Sequence, residues 1–184
     1  MQGLQQDSRK NRRALPICSV VIAAHNASNY IEAAVESLQS QSIQEIEIIV
    51  VDDGSTDATA DIVSGISKGD VRVHLMRLLA NQGQSSALNV GILAAKGKYV
   101  AFLDADDLAF PRRLELQVSA MEQDEQLILV GGSIVTMCDM TGNNGVIWRY
   151  ETDPAMILIS SLFKAGFQSL IGIVHFLLIF ISAK

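Results

Sequence analysis

The chain has 184 residues, 49% hydrophobic and 18% charged, which suits one well-packed domain and excludes a disordered polypeptide. Its formal net charge of −6 supplies no global field to attract nucleic acid. Two cysteines, Cys18 and Cys138, have no ligand-like spacing and suit a reduced, cytoplasmic protein.

The basic run "RKNRR" (Arg9 to Arg13) reads as part of a solvated, flexible arm over residues 1–15. The sharper alternative is contact with an anionic membrane surface, at the inner face of the plasma membrane. It does not read as a signal peptide, because the apolar run behind it is short and ends in "AAHNASN".

"ICSVVIA" (17–23) and "IEIIVV" (46–51) are predicted strands, apolar on both faces as buried parallel strands are. Between them Ile31, Ala34, Val35 and Leu38 repeat with helical period, and Asn29 with Glu32 forms a predicted capping box. Ile62, Val63 and Ile66 mark a second helix, capped by Thr56 or Asp57. "VRVHLMRL" (71–78) is a third strand, and Leu88, Gly91, Ile92 and Ala95 form the stripe of a third helix closed by Gly97. "YVAFL" (99–103) is a fourth strand. Pro111 suits the first turn of a fourth helix with stripe Leu114, Val118 and Met121. "LILVGG" (127–132) is a fifth strand. The alternation predicts an α/β fold, a mostly parallel sheet with helices on both faces.

Near the end, "LIGIVHFLLIFI" (170–181) carries no formal charge for twelve residues. A membrane span takes about twenty residues, so a buried or interfacial segment is expected, with a transmembrane helix as the alternative.

In parallel sheets, ligands bind beyond the carboxyl ends of the strands. Three polar clusters fall there: "AAHNASN", "DDGSTD" and "DADD". If the fourth strand stays extended, Asp104 and Asp106 point the same way and Ala105 points away. Two converging carboxylates are costly unless a cation neutralises them, and Mg²⁺ or Mn²⁺ takes one or two carboxylates plus water and phosphate oxygens. Asp107 would add a third oxygen or meet a ribose hydroxyl. The ordinary explanation, a solvated turn capping the next helix, fits a lone D-x-D better than one beside two other clusters.

Gly54, Ser55, Thr56 and Asp57 are sufficiently explained as a turn and a helix start. Asp52 and Asp53, side by side at a strand end, are not, and a carboxylate such as Asp53 can accept a nucleobase N–H. His25 offers a ring that could stack on a base or serve as a plain surface side chain. His74, inside a strand pattern, is expected to be structural. No dinucleotide or P-loop glycine motif is present.

"SVVIAAHNASNYIEAAVESLQSQ", "EIIVVDDGSTDATADIV", "NQGQSSALNVGILAAKGKYVAFLDADD" and "PRRLELQV" together resemble family 2 glycosyltransferases, from about Ile17 to Tyr150. The resemblance implies the GT-A fold, a nucleotide-diphosphate sugar donor (a UDP-sugar by family habit), Mg²⁺ or Mn²⁺, inversion at the anomeric carbon, and a carbohydrate or lipid-linked acceptor in cell-envelope polysaccharide synthesis. It implies that His25 flanks the base, Asp53 accepts from it, Asp104 lies near the ribose or the ion, Asp106 is the chief metal ligand and Asp107 a helper. On this reading residues 16–150 bind the nucleotide sugar, and 151–184 are an incomplete acceptor region with an apolar tail.

Three departures stand out. Leu88 occupies a position that is often basic in the family. No Asp or Glu follows Asp153, so the general base expected downstream is missing. The composition also turns apolar after Lys164, as a truncated or frameshifted end would. Two alternatives follow: a nucleotide-sugar binder without catalysis, or a phosphotransferase of the haloacid-dehalogenase kind. The second needs its D-x-D on the first strand and Ser/Thr and Lys partners later.

Overall fold

The computed structural model describes residues 15–127, 129–131, 134–135, 147–148 and 179–181. Two of the apolar runs become the centre of the main sheet. In β1 (Cys18–Ala24) every residue except Ala23 is buried, and in β2 (Ile46–Asp52) all seven are. Strands shut off from water on both faces need a neighbour on each edge as well. β1 pairs in parallel with β2, Val20 beside Ile48, and on its other edge with β4 (Tyr99–Phe102). β3 (Val73–Arg77) adds in parallel to β2.

The sheet order is β3-β2-β1-β4-β8-β5, with β5 at Leu129–Val130 and β8 at Ile179–Ile181. The last three residues of the apolar run are thus a strand, antiparallel to both β4 and β5. β6 (Ile134–Val135) and β7 (Ile147–Trp148) form a separate antiparallel pair. The arm before Leu15, Cys138, Glu151, Asp153 and the apolar run up to Leu178 lie outside the described residues. No helix among the described residues is long and apolar enough to cross a membrane.

The helices α1 (Ile31–Gln39), α2 (Thr59–Gly69), α3 (Gln84–Ala94) and α4 (Arg113–Gln123) cover the sheet unequally. Val20, Ile22, Ile48 and Val50 face α1, α2 and α4 through Ile31, Val35, Val63, Leu114 and Val118. The alternate residues Val21, Ile49 and Val51 face Ala87 of α3. The period-2 alternation of β1 and β2 therefore feeds two apolar cores, one per face.

Several expected helix ends differ. Tyr30, not Asn29, precedes α1, and its side chain makes no capping bond, so the Asn29–Glu32 box does not form. Asp57 acts one step outside α2, its Oδ1 accepting the Thr59 amide at 2.9 Å. α3 stops at Ala94 and buries Ala87 and Gly91, while Ile92 is 38% exposed. Gly97 closes no helix; it lies against β1. α4 starts two residues after Pro111, and its predicted stripe Leu114, Val118 and Met121 is buried.

At the amino ends of the strands the charge of Glu47 is buried but satisfied. It accepts the Ser19 hydroxyl at 2.5 Å and the Lys96 amide at 2.7 Å, and Ser19 Oγ accepts the Gly97 amide at 2.8 Å. His74 Nε2 stands 3.8 Å from Glu47 Oε2, the structural place expected of it.

Asp70 joins the end of α2 to β3. It accepts from Arg72 Nη2 at 2.6 Å, from the Arg72 amide at 2.9 Å and from Gln39 Nε2 at 2.9 Å. The Arg72 side chain, opposed by burial, holds the Asp70 carboxyl well below the usual carboxylate range. A depressed folded-state pKa contributes stability above the unfolded value of about 3.9, and that stability is lost as pH falls through the folded value. Asp70→Asn is therefore expected to cost about 2 kcal/mol at pH 7. The deficit against wild type shrinks steadily below about pH 4 in urea titrations.

Candidate functional site

The three polar clusters meet at the carboxyl ends of β1, β2 and β4, and hydrogen bonds between loops hold them there. Asn26 takes a positive φ of 52°, which asparagine tolerates better than most residues. In that conformation its Oδ1 accepts the Thr56 amide at 2.9 Å, and its own amide donates to Ser55 Oγ at 3.0 Å. Two more amides follow the same path: Ser28 donates to Asp57 Oδ2 at 3.0 Å and Ala27 to Thr59 Oγ1 at 2.8 Å. The Thr59 hydroxyl is the main reason the Asp57 carboxyl lies far below the usual range.

His25 is exposed but held in place. Its Nδ1 lies 2.8 Å from the Asp53 carbonyl, which can only accept, so Nδ1 carries the hydrogen. Nε2 then accepts from Asn26 Nδ2 at 3.1 Å. The ring is an oriented plate at the rim, and no second histidine stands beside it among the contacts described.

Asp53 has a task the sequence did not reveal. The residue is 2% exposed, and its two oxygens accept the amides of Gln82 and Gly83, each at 2.8 Å. It thereby latches the loop that leads into α3. Each carboxylate oxygen retains a further lone pair, which is what a base N–H would use. Gly54 makes the approach possible: its φ is +66°, and a Cβ there would stand 2.6 Å from the carbonyl carbon of Ala80. Leu88, at the often-basic position, is half-buried on α3 and packs into the core beneath it.

The "DADD" segment departs from the extended strand expected. β4 ends at Phe102, and residues 104–107 form a turn closed by the Asp107 amide donating to the Asp104 carbonyl at 3.1 Å. Strand alternation therefore does not align Asp104 with Asp106. Asp106 is exposed at the tip, while Asp104 and Asp107 are half-buried. Asp104 Oδ1 accepts from Gln84 Nε2 at 3.0 Å, tying the turn to the first residue of α3. Among the described residues no three His, Cys, Asp or Glu side chains form a metal-holding group. An exposed carboxylate at a turn tip does fit an ion that draws most of its ligands from water and phosphate.

Two residues that sequence reasoning missed fix the segments on either side of this turn. Gln41, 1% exposed, donates to the Phe110 carbonyl at 2.8 Å and accepts the Leu114 amide at 3.0 Å, satisfying an orphan donor of α4. Arg113 Nη2 donates to the Phe102 carbonyl at 2.7 Å, while its Nε and Nη1 are buried without a hydrogen-bond partner. Burial pushes this guanidinium down to about 10, against the pull of Cys18 and Asp107. A third missed residue, Arg77, lines a cleft of about 460 Å³ with Gly54, Ser55, Thr56, Leu78 and Leu79. No motif marks Arg77 or Gln41, since their partners lie far away in the chain.

This arrangement can bind a flat ring at His25, accept hydrogens at Asp53, and place oxygen ligands at residues 104–107. A family model described as glycosyl transferase family 2 matches residues 19–179. An "uncharacterized glycosyltransferase" of Haemophilus influenzae is 38% identical over 129 residues, covering 70% of this chain and 51% of that relative. Among solved structures, S. aureus TarS in complex with UDP-GlcNAc superposes with a TM-score of 0.55 at 28% identity, over 69% of this chain and 36% of that one. A mannosyltransferase from Pyrobaculum calidifontis in complex with GDP-Man and Mn²⁺ gives 0.54 at 26% identity, over 63% and 35%. The chain thus spans about half, or less, of the length of these relatives.

Proposed function

This chain belongs to glycosyl transferase family 2, and from that premise we propose that it binds a nucleotide-diphosphate sugar, a UDP-sugar first, together with Mg²⁺ or Mn²⁺. His25 stacks on the base and Asp53 accepts from it while keeping its hold on Gln82 and Gly83. Asp104 lies near the ribose or the ion, Asp106 is the chief metal ligand, and Asp107 assists. The observation that supports this reading is the meeting of three polar loops at the carboxyl ends of parallel strands, cross-tied through the start of α3. When bound, the ion would offset charge on the departing nucleoside diphosphate. The printed ligands of the two solved relatives, UDP-GlcNAc and GDP-Man with Mn²⁺, support the donor class.

Transfer with inversion to a carbohydrate or lipid-linked acceptor is the reaction proposed for the whole protein.

Titration calorimetry of UDP-, GDP- and dTDP-sugars with and without Mn²⁺ tests the donor site. Binding is expected to require the ion and to weaken on the order of 100-fold, about 2.7 kcal/mol, in Asp106→Ala. Affinity indifferent to both the ion and the substitution would remove the metal role. Release of nucleotide on adding acceptor separates transfer from binding alone.

A further inference from the structure

We infer that Arg77 reads the carbonyl edge of the donor's nucleobase, so that this site prefers a keto base to an amino base; the inference rests on the nucleotide-sugar reading above. Asp52 and Arg77 are direct partners in the parallel β2–β3 register, at the last paired position before both strands end. Shared register puts the two side chains on the same face of the sheet. Asp52 is fully buried, and its Oδ2 has no hydrogen-bond partner but stands 3.4 Å from Arg77 Nε. The other oxygen accepts the Ser55 amide at 3.2 Å. A buried carboxylate thus grips one edge of the guanidinium, while the Arg77 side chain stays 60% exposed. Its Nη1 and Nη2 make no hydrogen bond among the described residues.

The cleft beside that guanidinium has the make-up of a base site. Leu78 and Leu79 line it with apolar side chains, and Gly54 contributes backbone alone. Ser55 Oγ already accepts the Asn26 amide, so its own hydrogen remains to be donated. Of the polar side chains lining the cleft, Arg77 can only donate and Ser55 has its hydrogen to give, while Thr56 donates its own to Asn26 Oδ1. A guanidinium, which cannot accept, pairs with O4 of a uracil-type base or O6 of guanine and opposes the amino groups at the same positions of cytosine and adenine. A volume of about 460 Å³ lies within the usual range for small-ligand sites.

A guanidinium also suits phosphate, but the sheet order argues for the base. Arg77 ends β3 and residues 104–107 follow β4, with β2 and β1 between them. Three strand spacings make roughly 14 Å. An extended nucleoside diphosphate with its pyrophosphate at Asp106 carries its base toward β2 and β3, beside His25, Asp53 and Arg77.

The test is calorimetric affinity for UDP against CDP, and GDP against ADP, at fixed Mn²⁺, for wild type, Arg77→Met and Arg77→Lys. Wild type is expected to favour the keto member of whichever pair it binds. In Arg77→Met the keto nucleotide should weaken about tenfold and its amino counterpart by less than about twofold, with the Mn²⁺ requirement intact. Arg77→Lys keeps the charge beside Asp52 but loses the fork, so it folds like wild type and falls between the two. Equal losses for keto and amino nucleotides would assign Arg77 to phosphate and overturn the inference, as would unchanged keto affinity in both variants. Wild-type chain that binds none of the four with Mn²⁺ would overturn the donor-site reading itself, and this inference with it.

Discussion

Asp53→Asn is expected to cost about 2–3 kcal/mol of folding stability and to abolish nucleotide binding at concentrations where the variant is still folded. The carboxylate accepts two backbone amides at once, Gln82 through one oxygen and Gly83 through the other. Asparagine has a single oxygen, so its NH₂ must face one of those N–H groups, donor against donor. Hydrogen bonds to charged groups contribute about 1.5–3 kcal/mol, and of the two amides Gly83 keeps a second acceptor, Asn81 Oδ1 at 3.0 Å. The loop released is the one that leads into α3, whose first residue, Gln84, holds Asp104. One substitution at the end of β2 therefore disturbs both the base side and the metal side of the site. Urea unfolding measures the stability loss, and calorimetry below the unfolding transition measures binding. An unchanged urea midpoint would show that the latch carries no energy.

Gly97→Ala is expected to destabilise by about 3 kcal/mol, the upper end of overpacking costs, and to leave nucleotide affinity of the folded fraction within about twofold. A Cβ at this position would stand 2.6 Å from the Ser19 nitrogen, 2.8 Å from the Cys18 carbonyl carbon and 2.8 Å from Ser19 Oγ. Two of these are backbone atoms of Cys18 and Ser19 in β1, both fully buried in a strand paired on both edges, which cannot withdraw. The substitution also pushes the Gly97 amide away from Ser19 Oγ and disturbs the Glu47 network. Gly97 precedes β4 and the Asp104–Asp107 turn follows it, so the damage lies at the end of the strand remote from the site. A drop in the urea midpoint with unchanged affinity separates this change from Asp53→Asn. Wild-type stability in Gly97→Ala would mean that β1 yields where its pairing says it should not.

The strands and helices were legible because burial imposes patterns a single chain can display. β1 and β2 had to be apolar along their middles to lie between two layers, with Ser19, Glu47 and Asp52 toward their ends, and Ile31, Ala34, Val35 and Leu38 had to recur at helical spacing to face them. The places of the polar clusters followed from strand polarity. The shape of "DADD" did not, since alternation holds only while a strand continues, and this one ends at Phe102. The helix caps failed for a related reason: a donor at the start of α4, the Leu114 amide, is met by Gln41, two residues past the end of α1, and not by a neighbour in sequence.

By itself, then, the sequence determined the α/β class, the order of elements, the family, and which loops carry carboxylates, because each follows from local periodicity or from residues adjacent in the chain. Only the tertiary structure decided what the individual carboxylates do. Asp53 meets Gln82 and Gly83 across about 30 positions, Asp52 meets Arg77 through the β2–β3 register, and the end of the apolar run becomes a strand beside β4. Hydrogen bonds and ion pairs act over a few ångströms, and which distant residues come that close is set by sheet register and packing, which no local pattern encodes.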